Sequence, residues 1–398
     1  MRSGGGLISP PVFNYTNTIN RNTKGHYTMP FNNSELRNIA SNTSKLVQME
    51  LADNFHKRKC DSLLLADSYS RLGLQKKAHR VKSCSTFLQY RIDLNRLNEP
   101  YHQRLCKAYF CSDRLCPICQ WRKARKTTNQ LTLIMKHLLE YRFIFLTLTI
   151  QNVRCDELQP AVDNILGKAW HNLINNRRFK NAYCGFFRSF EITHDVEPVI
   201  TKSMFIKKRR FYERHRLRVN DINPTFDTYH PHIHAIVAVT PDYFEKRNPS
   251  YLGKKEVRNL WRNALHIAYN PYVDFRVLLD RKKENDGISS SYAILNIAKY
   301  ITKSADYLIR GEDKTINEDF TDEAVSVISA GIAKRRLISY GGIFRKVHKS
   351  LNLDTVDDGD LLFTDAETKE SLADFITIDC TWRGKKGYIP EIQFKERS

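Results

Sequence analysis

The run from Tyr229 to Val239 constrains the fold of this 398-residue chain more than any other feature. It ends in five consecutive apolar residues, which predict a strand buried in a core. Because side chains alternate across a strand, His230, His232 and His234 share one face. Three imidazoles on one buried face are costly unless a charge or a metal satisfies them. The run therefore predicts a strand on which His232 and His234 form half of a divalent metal site.

A carboxylate from a neighbouring strand would complete this site. In the predicted strand around Phe190 and Ile192, Glu191 faces away from its two apolar neighbours and can share the histidine face. Asp227, three residues before His230, is the alternative. Imidazole and carboxylate ligands with open positions suit Mn²⁺ or Mg²⁺ acting on a phosphate.

The charge balance points to a nucleic-acid partner. The chain has 64 Lys and Arg against 43 Asp and Glu, a formal net charge of +21. A membrane partner is disfavoured because the longest apolar run, Phe143 to Ile150, is far shorter than a bilayer span. No secretory signal is recognisable, so the nine cysteines indicate thiols or metal sites in a cytoplasmic protein rather than disulfides.

The order of hydrophobic patterns predicts an α+β fold, with an antiparallel sheet flanked by helices. Buried strands are expected near 143–150, 185–193 and 272–279, in addition to the histidine strand. Helices are expected near 131–139, 162–174, 256–267 and 289–308. The expected organisation is a disordered tail (1–45), a helical lead-in (46–81), a cysteine-rich zinc module (82–125), a main domain (126–310) and a C-terminal accessory region (311–398).

Closely spaced cysteines predict a structural zinc site. Cys111, Cys116 and Cys119 supply three thiols, and the fourth is Cys84 or Cys106. Thiolates at this spacing select zinc, and four of them leave no open position for a substrate.

Two further segments are candidates for chemistry on DNA. The helix around Tyr300 carries Asn296, Lys299 and Lys303 near that phenol, which can attack a metal-polarised phosphodiester. The insert at 202–218 interleaves basic side chains, which supply phosphate contacts, with aromatic ones able to stack on unpaired bases. Its basic residues include Lys207, Lys208, Arg209, Arg210 and Arg214.

In combination, these segments resemble the rolling-circle replication initiators of small plasmids, which belong to the HUH endonuclease superfamily. The matching segments are Phe145-Leu146-Thr147-Leu148-Thr149, Asp227 to His234, Ala298-Lys299-Tyr300 with Lys303 and Asp306, the cysteine segment from Phe110 to Arg122, Cys84 to Leu88, Lys334-Arg335-Arg336, and Tyr340-Gly341-Gly342. Together they span about residues 80–398. The resemblance favours Cys84 over Cys106 as the fourth zinc ligand and makes 126–310 the nicking and joining domain.

The resemblance implies an enzyme that nicks its plasmid origin at a hairpin or single-stranded site. His232 and His234 would hold the metal, and Tyr300 would form a 5′-phosphotyrosine. The freed 3′-OH would then prime synthesis by a host polymerase, with a host helicase as a further partner. Conjugative relaxases carry their tyrosine ahead of the histidines, whereas Tyr300 follows His234 by 66 residues.

One position departs from the family pattern. Relatives often carry a glutamate four residues before the tyrosine, where this chain has Asn296, which cannot act as a general base. The initiation step is unaffected, but the residue that activates water at termination is left open. The alternatives are a non-catalytic zinc-dependent DNA-binding regulator and a transposase of the same superfamily.

Overall fold

The structure is a computed structural model that describes residues 51–93, 103–278, 307–311, 315–356, 359, 361–362 and 375–393. The predicted tail at 1–45 and the predicted helix around Tyr300 lie outside these ranges. The chain divides into two compact units, one of residues 1–57, 85–109 and 369–398, the other of residues 58–84 and 110–368.

The described chain alternates helices and strands along most of its length. In chain order the strands are β1 (Phe87–Asp93), β2 (Gln103–Ala108), β3 (Arg142–Thr149), β4 (Gly185–Asp195), β5 (Thr228–Val239), β6 (Val273–Leu278), β7 (Ile338–Gly341), β8 (Phe375–Trp382) and β9 (Tyr388–Gln393). The helices are α1 (Lys57–Arg71), α2 (Gln75–Ser83), α3 (Pro117–Lys136), α4 (Cys155–Asp163), α5 (Trp170–Asn175), α6 (Arg177–Ala182), α7 (Lys202–Lys207), α8 (Arg209–Arg214), α9 (Lys254–Leu265), α10 (Glu318–Ile332) and α11 (Gly342–Ser350). A π-helical turn, Leu51–His56, precedes α1, and another, Asn164–Ala169, joins α4 to α5.

The smaller unit contains a four-stranded antiparallel sheet in the order β2-β1-β8-β9. Its first two strands fall inside the segment expected to be a zinc module, and its last two come from the end of the described chain. Sequence patterns did not predict this second sheet, because its central pairing, β1 with β8, joins segments that are far apart in the chain.

The larger unit contains a five-stranded antiparallel sheet in the order β6-β3-β5-β4-β7. β5 lies at its centre, and every residue from Pro231 to Val239 is buried, as the apolar run predicts. The α+β class with an antiparallel sheet flanked by helices is confirmed. The segment expected to be an accessory region contributes β7 and α11 to this same unit.

Helices pack against one half of one face of this sheet, and polar side chains lie on the other half of that face. Leu131, Ile134, Met135 and Leu138, from α3 and the turn after it, pack with Phe344 of α11 against Phe145, Phe187, Ile236 and Ala238 of the sheet. These sheet residues occupy one half of the face. Beyond them on the same face lie the polar residues of the candidate site.

The long insert between β4 and β5 is folded. Residues 196–227, here called the β4–β5 extension, contain α7 and α8. Asn223 donates a hydrogen bond to the Asp195 carboxylate at 3.0 Å, and the Thr225 hydroxyl donates to the same carboxylate at 2.6 Å. These bonds tie the far end of the extension to the end of β4. Across the described residues, none of the helices combines the length and apolar character needed to cross a membrane.

Candidate active site and cysteine cluster

Strand register brings a carboxylate beside two imidazoles on the larger sheet. His232 and His234 lie two residues apart on β5, and Glu191 lies on β4 directly opposite His232. Paired residues in an antiparallel sheet present their side chains to the same face. The predicted grouping of Glu191 with the two histidines is therefore what the structure contains.

The three side chains converge on one point. The Nε2 atoms of His232 and His234 lie 3.2 and 3.0 Å from the same oxygen of Glu191, Oε2. The other carboxylate oxygen, Oε1, is buried and has no hydrogen-bond partner among the described residues. Two imidazole nitrogens and a carboxylate with one unsatisfied buried oxygen are a donor set that fits a divalent cation.

Outer contacts fix which ring nitrogen of each histidine faces that point. His232 Nδ1 lies 2.9 Å from the carbonyl oxygen of His230, to which it can only donate. His234 Nδ1 lies 3.1 Å from the hydroxyl of Thr147 on β3. Because Nδ1 of each ring is engaged in this way, Nε2 is the nitrogen that faces Glu191 and that a neutral imidazole can offer to a metal. Thr147 is thus a positioning residue that sequence reasoning missed, although it lies in the Phe145–Thr149 motif, because only the pairing of Thr147 with His234 reveals its role.

Opposing effects act on the Glu191 carboxyl. Burial raises its pKa, but hydrogen bonds and charge interactions with His232 and His234 outweigh burial and lower the pKa to about 2. Because this pKa lies below the ordinary value of 4.5, the ionised Glu191 carboxylate stabilises the folded state. Its contribution is fully present above pH 4.5 and is lost as the pH falls towards 2. The carboxylate is ionised, and so able to bind a cation, at neutral pH.

The two other side chains considered for the metal site do not belong to the group. Asp227 hydrogen-bonds His194 at 2.9 Å, and it adopts a left-handed backbone conformation with a φ of 53° just before β5. His230 stacks on His232, with ring centroids 5.1 Å apart, and contributes its carbonyl oxygen to His232. Asp227 was the open alternative to Glu191, and the geometry favours Glu191.

The predicted nucleophile segment is outside the described residues. Asn296, Lys299, Tyr300 and Lys303 all fall in the range 279–306, for which no structure is described. Tyr307, the next tyrosine along, is buried, and its hydroxyl donates to the Leu115 carbonyl.

Four buried cysteines form a second candidate metal group. The Sγ atoms of Cys84 and Cys111 each lie 3.6 Å from that of Cys119, and Cys84 and Cys116 are 3.7 Å apart. Four sulfurs about 2.3 Å from a tetrahedral zinc ion would lie roughly 3.8 Å apart, which these distances match. They are too long for disulfides, in which sulfurs are about 2.05 Å apart.

Cys84 joins the group and Cys106 does not. Cys84 follows the end of α2, and Cys116 and Cys119 lie at the start of α3. Cys106 lies on β2, where its thiol donates to the Gln89 carbonyl at 3.2 Å. The pairing of a distant cysteine with the compact Cys111–Cys119 motif is a tertiary contact, so spacing alone left the choice open.

A buried lysine lies beside the cysteine cluster and was not predicted. Lys59 of α1 is fully buried, and its ammonium group donates to the carbonyls of Lys82, at 2.7 Å, and Cys84, at 2.5 Å. Burial lowers the Lys59 pKa, while the nearby cysteine sulfurs act in the opposite direction. A positive charge here would offset the negative charge of four thiolates.

We expect Cys84→Ser to lose bound zinc and to lower the melting temperature by many degrees, because a structural zinc site contributes directly to folding. Metal analysis should give about one zinc per chain for the wild type and for the matched variant Cys106→Ser. If Cys84→Ser kept the zinc content of the wild type and Cys106→Ser lost it, Cys106 would be the fourth ligand.

The basic residues predicted to contact DNA are exposed on the β4–β5 extension. All five of them are solvent-exposed: Lys207, Lys208, Arg209, Arg210 and Arg214. Lys208 lies 3.9 Å from Asp195, at the end of the strand that carries Glu191, and its charge acts on His230. The extension therefore places positive charge next to the Glu191–His232–His234 group.

The aromatic residues of the extension have different environments. Tyr212 is buried and stacks on Phe205, with ring centroids 5.8 Å apart, so its ring holds the extension together and is not free to stack on a base. Phe211 is 40% exposed. Of the interleaved aromatics, Phe211 is the one whose ring faces solvent.

Comparisons with known proteins identify the family of this chain. The family model described as Replication protein matches residues 102–389, which include the histidine strand and three of the four clustered cysteines. "Protein rep" of Bacillus amyloliquefaciens is 32% identical over 327 residues, covering 79% of this chain and 85% of that protein. "Protein rep" of Streptococcus pneumoniae is 31% identical over 322 residues, covering 80% and 85%.

A shorter relative, "Replication protein" of Staphylococcus aureus, is 28% identical over 260 residues, or 65% of this chain and 94% of that protein. No solved structure matches the chain at a significant level. The extent of the family match and the coverage of these relatives show that the chain belongs to the Replication protein family, which confirms the resemblance to plasmid replication initiators drawn from its motifs.

Proposed function

We propose that this protein nicks a plasmid origin with a tyrosine nucleophile and a divalent metal, and so initiates rolling-circle replication. Membership of the Replication protein family supports a role as a replication initiator. The observation that carries the proposal is the convergence of two histidine Nε2 atoms on a carboxylate oxygen whose partner oxygen is unsatisfied. A merely structural histidine strand would not need this grouping.

Glu191, His232 and His234 would hold Mn²⁺ or Mg²⁺. When bound, such an ion polarises a phosphodiester and offsets the charge that develops on it. His232 Nδ1 donates to the His230 carbonyl, and the Thr147 hydroxyl is hydrogen-bonded to His234 Nδ1. These contacts keep the two Nε2 atoms aimed at one point. Three protein ligands leave open positions for phosphate oxygens.

The chemical step is a transesterification at Tyr300. Its phenolic oxygen forms a bond to phosphorus as the bond between phosphorus and the 3′ oxygen breaks. The phenol loses its proton and the leaving oxygen gains one, so the products are a 5′-phosphotyrosine and a free 3′-OH. Lys299 and Lys303 would lower the phenol pKa or neutralise phosphate charge. The 3′-OH then serves as primer for a host polymerase, with a host helicase opening the duplex ahead.

Asn296 makes the termination step different from that of relatives with a glutamate there. An amide cannot take a proton from water at neutral pH. Release of the displaced strand would therefore use a second transesterification or a base elsewhere in the chain.

The cysteine cluster would hold a structural Zn²⁺. Its four sulfurs are buried and close enough to fill a tetrahedral shell, which leaves no position for a substrate. Its role would be to fix the start of α3, whose apolar side packs on the sheet beside the candidate active site.

The β4–β5 extension would bind origin DNA through its exposed basic residues. We expect replacement of Lys207, Lys208, Arg209 and Arg210 by Ala to weaken DNA binding and flatten its salt dependence, by about 0.7 in the log–log slope for each lost contact to a single strand. Fluorescence anisotropy across a salt series measures this slope. Metal-dependent cleavage of a short single strand should persist.

A matched control removes the same charge from exposed positions elsewhere, at Arg177, Lys180, Lys385 and Lys386. If both quadruple variants flatten the slope equally, the effect reflects net charge and the extension is not a specific DNA contact.

The experiment that tests the function uses a supercoiled plasmid carrying this gene's own upstream DNA. Relaxed circles and a detergent-stable protein–DNA adduct should form with Mg²⁺ or Mn²⁺ and not with a chelator. DNA binding without either product, under every metal tried, would favour the zinc-dependent regulator. Nicking at paired element ends instead of an origin would favour the transposase.

A further inference from the structure

A cavity of about 540 Å³ opens between β7, α11 and the loop that follows α11. Its lining combines apolar side chains, Ile338, Leu353 and Val356, with four basic ones, Arg336, Arg345, His348 and Lys349. None of the described residues that line it is acidic. A site with an apolar floor and a cationic rim suits a ligand with a flat apolar part and negative charge.

The two faces of α11 explain this composition. Phe344, Val347 and Leu351 recur at helical spacing and pack against the core of the larger unit. Arg345, His348 and Lys349 recur at i, i+3 and i+4 and line the cavity, together with Asn352, which follows the helix. The helix therefore turns one apolar stripe to the sheet and one basic stripe to the cavity.

The nearest carboxylate does not neutralise this rim. Asp354 lies close enough to act on His348, but its carboxylate is paired with the buried ammonium group of Lys126 and accepts a hydrogen bond from Gln130. Arg345 and Lys349 are exposed, and no ion pair within the described residues involves either of them. Their charge is available to an anionic ligand.

Two polar atoms of the lining residues have no partner among the described residues. These are the hydroxyl of Tyr340 and Nε2 of His348, both buried, on rings whose centroids are 4.7 Å apart. A buried polar group without a partner is unfavourable, so such groups commonly mark a site that a ligand or water completes.

The cavity adjoins the candidate active site along the sheet. β7 pairs with β4 at Ile338 and Ser189, and the Phe190 amide donates to the Leu337 carbonyl at 3.0 Å. Continuing that register by one residue brings Arg336 level with Glu191. On this register Arg336, which lines the cavity, is the lining residue nearest in strand position to Glu191.

We propose that this cavity holds one unpaired nucleotide of the DNA strand presented to the Glu191–His232–His234 group. The base would lie on the apolar floor, and the adjoining phosphates would contact Arg336, Arg345 and Lys349. This inference rests on the proposed function, because it assumes that a single strand reaches the metal group. A free nucleotide carries the same chemistry, so the experiment separates the two sources.

The first arm removes charge from the rim. Arg345→Ala with Lys349→Ala should weaken binding of a short single-stranded oligonucleotide from the upstream DNA by roughly tenfold or more. Anisotropy of the zinc-loaded protein without added Mg²⁺ or Mn²⁺ measures this binding without nicking. Lys346→Ala removes a neighbouring exposed charge on the same helix that does not line the cavity, and should have little effect. An unchanged affinity in the double variant, or an equal loss in the Lys346 variant, overturns the proposal.

The second arm tests for the base. Removing a single base from the oligonucleotide should weaken binding at least about fivefold at one position, since stacking of one base carries at least that much affinity. Thr355→Trp fills the cavity from an exposed lining position, and in this variant the sensitivity to that missing base should vanish. Sensitivity that survives Thr355→Trp would place the base elsewhere and overturn the proposal.

A free deoxynucleoside monophosphate provides the third arm. If it binds the wild type and loses binding in the rim variant, while oligonucleotide affinity is unchanged, the ligand is a free nucleotide and the assignment to the strand is wrong. Adduct formation is scored separately. If the wild type never forms an adduct, the proposed nicking function is wrong. If the wild type forms an adduct and the Arg345→Ala, Lys349→Ala variant binds the oligonucleotide as the wild type does, only the nucleotide-binding proposal is wrong.

Discussion

Tyr300→Phe should form no covalent adduct with origin DNA while remaining folded and able to bind it. The substitution removes the attacking oxygen and keeps the ring, so catalysis is lost without loss of packing. Incubation with Mn²⁺ and the single-stranded nick site, followed by a denaturing gel, should show the adduct for the wild type and none for the variant. The expected loss is complete within detection, because no other group can supply that oxygen at the same position.

Tyr292→Phe and Tyr307→Phe are the matched controls, and they have different expected effects. Tyr307 is a core residue whose hydroxyl donates to the Leu115 carbonyl, so its loss leaves a buried acceptor unpaired at a cost of about 1–3 kcal/mol. The Tyr307 variant should melt at a lower temperature and still form the adduct at temperatures where it is folded. An adduct that persists in Tyr300→Phe and disappears in Tyr292→Phe would move the nucleophile and leave the enzyme class intact.

Glu191→Gln should lower the affinity for Mn²⁺ by at least about 100-fold, because removal of even an outer partner of a metal ligand costs 10–100-fold. The amide keeps the shape of the side chain and removes the charge that both histidine Nε2 atoms face. Calorimetric titration of the zinc-loaded protein with Mn²⁺ measures the affinity, and plasmid relaxation should fall with it.

Asp227→Asn is the control for Glu191→Gln, since it makes the same chemical change at the residue that competed for the third ligand position. Its carboxylate contacts His194 and lies outside the converging group. The Mn²⁺ affinity of this variant should stay near that of the wild type. If Asp227→Asn abolishes Mn²⁺ binding and Glu191→Gln does not, the ligand set proposed here is wrong.

The local periodicity of the sequence was sufficient to predict which face of β4 and β5 each candidate ligand occupies. Alternation at period two put His232 and His234 on one face, and the apolar run after them required a central buried strand. The same rule gave Glu191 the correct side of its own strand. These predictions succeed because they depend only on the geometry of an extended backbone.

Contacts between distant segments were beyond such rules. Which carboxylate joins the histidines depends on the register of β4 against β5, and the role of Thr147 depends on the register of β3. Residue spacing left the choice between Cys84 and Cys106 open, because loop closure can bring either thiol close to the Cys111–Cys119 motif. Burial of Tyr212 could not be predicted either, because the sequence pattern of a basic helix with an aromatic residue is the same whether the ring packs inward or faces solvent.

The sequence by itself determined the excess of positive charge, the α+β pattern, the donor types at both candidate metal groups and the family. Each of these follows from composition, from spacing within one segment or from motif order, which are properties of the chain before it folds. Only the tertiary structure decided the pairing of β1 with β8 in the second sheet, the buried lysine beside the cysteine cluster and the basic cavity at β7. The strand pairing and the lysine contact join segments that are separated along the chain, and the cavity depends on how β7, α11 and the loop after α11 pack together. None of these follows from a local backbone preference.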